Sequence, residues 1–185
     1  MNIDDYIVDS SSKVFIIAEI GMNHNGDIKN ALALIDKAVE VGANCVKFQL
    51  RNLTELYSKE ALNLKNSDLS TQYTVSLLRK FQLTKIQYKY LFRYATNKKI
   101  TFICTPWDKS SVDFLSKINI PAFKIASADL TNIDLLEYVA RKRKPMIIST
   151  GMSTHSEIKD SVSFLKKMRA DFALLHSNST YPTPI

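Results

Sequence analysis

Glycine is scarce in this chain, with four in 185 residues, and none builds the G-x-G-x-x-G or G-K-S/T loop that follows a strand in dinucleotide-binding and P-loop folds. Those two ligand classes fall away. Cysteine is nearly absent too: Cys45 and Cys104 stand inside apolar runs without metal or redox spacing, which predicts reduced, buried thiols. No stretch approaches the roughly 18 consecutive apolar residues of a membrane span, so a soluble, cytoplasmic protein with no membrane partner is expected. His24, His155 and His176 share no ligand spacing and lie on separate segments, so no metal site is expected from the chain itself. His24, between Asn23 and Asn25, reads as a hydrogen-bonded turn residue, and His176 as a satisfied core histidine on a strand. There is no G-x-S-x-G elbow and no cysteine signature for covalent hydrolysis.

What is present suits one globular core, at 45% hydrophobic content. The formal charge of +7 is spread along helix-like segments instead of one stripe, which argues against a nucleic-acid partner. The densest cluster, Arg141 to Lys144, precedes an apolar strand, where a helix C-terminus favours positive charge.

Nearly continuous apolar, β-branched runs recur at Val14 to Ile20, Asn44 to Gln49, Ile100 to Thr105, Ala122 to Ser127, Pro145 to Thr150 and Phe172 to Ser177. Such runs are strands buried on both faces, as in parallel sheets with helical crossovers. Helical periodicity fills the gaps at Ile28 to Val41, Thr71 to Phe81, Lys85 to Asn97, Ser110 to Lys117, Asn132 to Arg141 and Ser156 to Met168. A polar loop, Leu53 to Asp68, is either a plain insertion or a substrate cover. The alternation predicts an α/β fold. Without a glycine-rich loop the (β/α)8 TIM barrel is favoured over an open doubly wound sheet, truncated here to about six βα units in a single domain, residues 1–185.

Polar residues gather where the runs end: Glu19, Lys47 with Gln49, Thr105, Lys124 with Ser127, Ser149 with Thr150, and Ser177 to Tyr181. Parallel strands finish at one face, so these side chains should share one mouth. An unpaired ammonium is costly to bury, so Lys47 and Lys124 each need an anionic partner. A structural carboxylate such as Glu19 or Asp129 is one answer; the phosphate and carboxylate of a small ligand, surrounded by lysines and hydroxyls, is the other. Glu19 beside them is a candidate for proton relay or for orienting a reacting group. A barrel aldolase forming an imine on Lys47 or Lys124 stays open as a second reading.

Six segments taken in order are distinctive: Ala18-Glu-Ile-Gly-Met-Asn-His-Asn-Gly26, Val46-Lys-Phe-Gln49, Cys104-Thr-Pro106, Phe123-Lys-Ile-Ala-Ser127, Ile148-Ser-Thr-Gly-Met152 and Leu175-His176 leading to Thr180-Tyr-Pro-Thr-Pro184. Together they resemble the sialic acid synthase family, which includes legionaminic and pseudaminic acid synthases. The resemblance implies a barrel followed by an antifreeze-like domain, a homodimer, and condensation of phosphoenolpyruvate with an N-acylmannosamine-type sugar using Mn2+ or Mg2+. On it, Lys47, Thr105, Lys124, Ser127, Ser149 and Ser179 match phosphoenolpyruvate-binding positions, and Glu19 the glutamate near the reacting centre. Gln49, Asp129 and Tyr181 match sugar-facing positions, with Asp129 standing where some members carry glutamate and Ser179 where some carry asparagine. It further implies that the metal-binding histidines, the last two strands and the C-terminal domain lie beyond residue 185, so that the fragment alone is expected to be inactive or to bind phosphoenolpyruvate without turnover.

Overall fold

The computed structural model describes residues 1–63, 75–180, 182 and 183. It begins with a feature absent from the sequence expectations, a hairpin of two short antiparallel strands, β1 (Asn2–Ile3) and β2 (Tyr6–Ile7). Two-residue strands carry no readable period, so only the packing of Ile3 betrays their purpose.

The main body follows as β3 (Ile17–Gly21), α1 (Ile28–Glu40), β4 (Cys45–Leu50), α2 (Leu53–Leu56), α3 (Lys59–Asn63), α4 (Val75–Phe81), α5 (Lys85–Asn97) and β5 (Thr101–Pro106). Then come α6 (Lys109–Lys117), β6 (Phe123–Ile125), α7 (Ile133–Ala140), β7 (Met146–Ser149), α8 (His155–Lys167) and β8 (Phe172–Leu175). The expected helices agree to within a residue where described, because each has a strong local start signal. Thr84 with Gln87 and Thr154 with Glu157 form reciprocal capping boxes, while Asp27, Asp108 and Asn132 cap α1, α6 and α7. The segment expected as a polar loop from Leu53 starts instead as α2 and α3, with Asn52 capping the first; the remainder of that segment, and the first residues of the helix expected from Thr71, lie outside the described residues.

All six long strands are parallel and pair in chain order, β3-β4-β5-β6-β7-β8, a curled sheet of the (β/α)8 barrel type covering six of its units. Alternation sorts the side chains onto two faces. Val46, Phe48 and Leu50 of β4 face outward into the main core with Phe102, Phe123, Ile125 and the inner faces of the helices. Cys45, Ile103, Ala122 and Ile147 point to the concave side, where Ile3 of the hairpin packs beneath them at 1% exposure. Both thiols are free and buried, and burial pushes them well above the ordinary cysteine range. Among the described residues no helix is long and apolar enough to cross a membrane.

Candidate active site

Two residues above the apolar floor, the concave face turns polar. Glu19 and Lys47 are register partners on β3 and β4, and the carboxylate forms an ion pair with the ammonium. Lys47 also donates to Thr105 Oγ1 at 3.4 Å, across to β5. Its side chain is 11% exposed and that of Glu19 is 49%, so the pair opens toward the strand ends, not into the core.

Lys124, two strands further round, is held differently. Its Nζ donates to Ser149 Oγ at 2.6 Å and to the Ile125 carbonyl at 2.6 Å, and no carboxylate pairs with it among the described residues. Burial lowers its pKa to about 7, helped by the positive charge on Lys47 and opposed by Glu19. Thus the question left open by the sequence has two answers. Lys47 is paired with a carboxylate; among the described residues Lys124 has only neutral acceptors.

The other hydroxyls converge on the turn after β7. Ser127, in the 3-10 turn Ser127–Asp129, accepts from Gly151 N at 3.1 Å. A Cβ on Gly151 would sit 2.6 Å from Ser179 Oγ and 2.9 Å from Ser127 Oγ, so the absence of a side chain there lets both serines approach. The structure therefore brings Glu19, Lys47, Thr105, Lys124, Ser127, Ser149 and Ser179 to one end of the sheet.

Gln49 lies on the same face of β4 as Lys47, its side-chain Oε1 accepting from Arg51 Nη2 at 2.6 Å and its backbone carbonyl from the Tyr88 hydroxyl. Asp129 is buried, with Oδ1 accepting from Asn132 Nδ2 at 3.1 Å and Oδ2 without a hydrogen-bond partner among the described residues. That burial raises its pKa, with the Asn132 contact acting against it. Tyr181 lies outside the described residues.

The histidines divide. His24 is buried as a turn residue, with Nδ1 accepting from Gly26 N at 3.0 Å and the ring stacked on Phe48, and burial lowers its pKa. A ring nitrogen that accepts carries no proton, so the residue is the neutral Nε2–H form. His176, expected on a strand in the core, is instead exposed just past the end of β8; that strand is at the sheet edge, where Leu174 and Leu175 are also exposed. Among the described residues no three His, Cys, Asp or Glu side chains form a metal-type cluster.

Two residues at the mouth escaped the sequence analysis, Arg51 and Trp107, and Gly151 stood there only as part of the Ile148–Met152 segment. Arg51 continues the alternation of Lys47 and Gln49, and Trp107 follows Pro106 at the end of β5, so their places at the strand tips were present in the pattern.

The chain is 35% identical over 178 residues to N,N'-diacetyllegionaminic acid synthase of Campylobacter jejuni, covering 93% of this chain and 53% of that protein. It is 38% identical over 170 residues to human N-acetylneuraminate-9-phosphate synthase, covering 91% of this chain and 47% of that one. The chain thus spans about half the length of these relatives. Among solved structures, a sialic acid synthetase from Leptospira borgpetersenii serovar Hardjo-bovis in complex with citrate superposes with a TM-score of 0.88 at 34% identity, over 100% of this chain and 61% of that one. The NeuB family model matches residues 34–185, and the chain belongs to the NeuB family of sialic, legionaminic and pseudaminic acid synthases.

Proposed function

We propose that this chain supplies the phosphoenolpyruvate half of a synthase active site, in which phosphoenolpyruvate is joined to the open-chain form of an N-acylated hexosamine to give a nonulosonic acid and phosphate. The observation that carries this reading is the setting of two buried lysines: Lys47 is paired with Glu19, Lys124 has no carboxylate pair among the described residues, and the hydroxyls of Thr105, Ser127, Ser149 and Ser179 lie at the same end of the sheet. A small ligand with a phosphate and a carboxylate would provide what Lys124 lacks.

In the reaction, the methylene carbon of phosphoenolpyruvate attacks the sugar aldehyde, water adds to the cationic carbon that results, and phosphate leaves by carbon–oxygen cleavage. Lys47 and Lys124 would hold the phosphate and carboxylate oxygens, with the Thr105 and Ser149 hydroxyls fixing their orientation. Glu19, open to the mouth and held by Lys47, would orient the attacking water or the sugar hydroxyl. The divalent ion that the family resemblance implies has no ligand set among the described residues, so no step here runs through it. Association into a homodimer belongs to the same proposal for the whole protein.

Calorimetric titration with phosphoenolpyruvate tests binding, and phosphate release with Mn2+ and a panel of N-acylated hexosamines tests chemistry. Binding that is lost in Lys124→Met supports the reading; no binding to the wild type overturns it. A second reading, a barrel aldolase with an imine on Lys124, draws on the lowered pKa of that amine. Borohydride in the presence of a carbonyl substrate would fix the adduct on Lys124, and an unmodified lysine after such treatment removes that reading.

A further inference from the structure

Lys124 is 6% exposed, and both of its bonds, to Ser149 Oγ and to the Ile125 carbonyl at 2.6 Å each, go to neutral oxygens. An ammonium buried without a carboxylate loses more hydration than two neutral acceptors return. The uncharged amine fits the same two partners. It donates an N–H to the carbonyl, which can only accept, and takes the proton of the serine hydroxyl, which can donate as well as accept. One geometry therefore serves both protonation states of this lysine.

The surroundings favour the uncharged state. On β4, Lys47 adds a second positive charge, while Glu19 on β3, which opposes it, is already paired with Lys47. On β5 the Thr105 hydroxyl accepts from Lys47, and on β7 Ser149 is the neutral partner already named. In the turn after β6, Asp129 is bonded to Asn132, and His176 past the end of β8 is exposed. Among the described residues no carboxylate pairs with Lys124, and its pKa of about 7 follows from burial first and from Lys47 second.

An anion placed against the same nitrogen reverses the preference, because an opposite charge at contact distance favours the ammonium. We propose that phosphoenolpyruvate enters this site together with a proton, which the Lys124 amine takes from solvent as the ligand binds. The inference rests on the function proposed above for its ligand. The nitrogen lone pair gains the proton, and no bond in the ligand is made or broken. Binding should therefore weaken as the solution becomes alkaline, which a lysine already charged in the free protein would not cause.

Calorimetric titration with phosphoenolpyruvate in buffers of different ionisation enthalpy counts the proton directly. A phosphate monoester has its second pKa at about 6, so at pH 8 the free ligand is fully ionised and contact with lysines gives it no reason to gain a proton. Lys124, about nine-tenths uncharged at pH 8, should take up about 0.9 proton per ligand there and about half a proton at pH 7. Apparent affinity should fall about eightfold from pH 7.5 to 8.5. In Lys124→Arg, whose side chain keeps its charge throughout, the uptake should vanish and the affinity become flat across that interval. Binding to the wild type without proton uptake at pH 8, or uptake that persists in Lys124→Arg, overturns the inference and leaves the proposed function standing; no binding at any pH from 6 to 9 overturns both. Should Lys124→Arg not fold, the wild type with 13Cε-labelled lysine provides the second reading. One lysine resonance should titrate near pH 7 in the free protein and above about pH 9 when ligand is saturating, and the absence of such a resonance sinks the proposal.

Discussion

Along the concave face of the sheet, two layers built by the same strands obey opposite rules. In the lower layer, Cys45, Ile103, Ala122 and Ile147 close over Ile3 of the N-terminal hairpin as a dry apolar floor. One alternation further along β4, Cys45 gives way to Lys47 and then Gln49, and the layer becomes charged and half open. The floor gains stability from burial; the mouth gives some up to keep ammonium groups ready for an anion. If that division is right, substitutions in the floor should lower stability and spare binding, while those in the mouth should weaken binding without lowering stability.

The largest effect is expected in the floor. Ile3→Ala removes a side chain that is 1% exposed from beneath four strands, and should cost about 3 kcal/mol in urea unfolding while leaving phosphoenolpyruvate affinity within about twofold. A comparable loss of affinity would mean that the layers are coupled. In the mouth, Lys124→Met should act in the reverse sense, lowering phosphoenolpyruvate affinity about fiftyfold because a buried anion loses its charged donor. The same change should raise the unfolding midpoint of the ligand-free chain, since an isostere without charge fits a site with no carboxylate partner. A midpoint that falls would show Lys124 to be a structural residue.

Gly151 tests the mouth more finely. In Gly151→Ala the new methyl would lie 2.6 Å from Ser179 Oγ and 2.9 Å from Ser127 Oγ, and 3.1 Å from the Ser177 carbonyl, so the segment after β8 must retreat. Affinity for phosphoenolpyruvate should weaken about tenfold, as expected for losing one or two hydroxyl contacts at the mouth, with a smaller effect on the unfolding midpoint than Ile3→Ala.

How far these layers were legible in the sequence follows from the range of the signal. Buried parallel strands are continuous apolar runs and helices carry their caps with them, so both are written locally; Asp108, for example, caps α6 and also receives Asn52 N at 2.6 Å. The polar strand ends were equally plain, and with them the family. Partnership was not. Nothing local says that Glu19 goes to Lys47 while Lys124 is left to Ser149, or that Arg51 donates to the Gln49 amide, because those depend on which strands are neighbours and how far each side chain reaches. The hairpin was missed for a related reason: its strands are too short for a period, and its one buried residue is explained only by a floor assembled from four distant segments.

The smallest predicted effect is also the one that tells the two layers apart by titration. Lys124 has a folded pKa of about 7, below the ordinary lysine value, so between about pH 7 and the unfolded pKa near 10.4 the unfolded chain binds the extra proton. Stability must then rise with pH through that window, by at most about 1.4 kcal/mol per pH unit, and the gain is lost as pH falls through 7. The buried thiols work against it from above. Cys45 in the floor and Cys104 in the outer core are held protonated in the fold, whereas unfolded thiols ionise near pH 8.5, so they subtract stability as pH rises past that value. The wild type should therefore gain stability between about pH 7 and 8.5 and then level off or decline, while Lys124→Met should show no gain in that interval and keep the decline. Urea midpoints measured at half-unit steps check this, and a rise from pH 7 to 8.5 that survives in Lys124→Met would assign the titration to some other group.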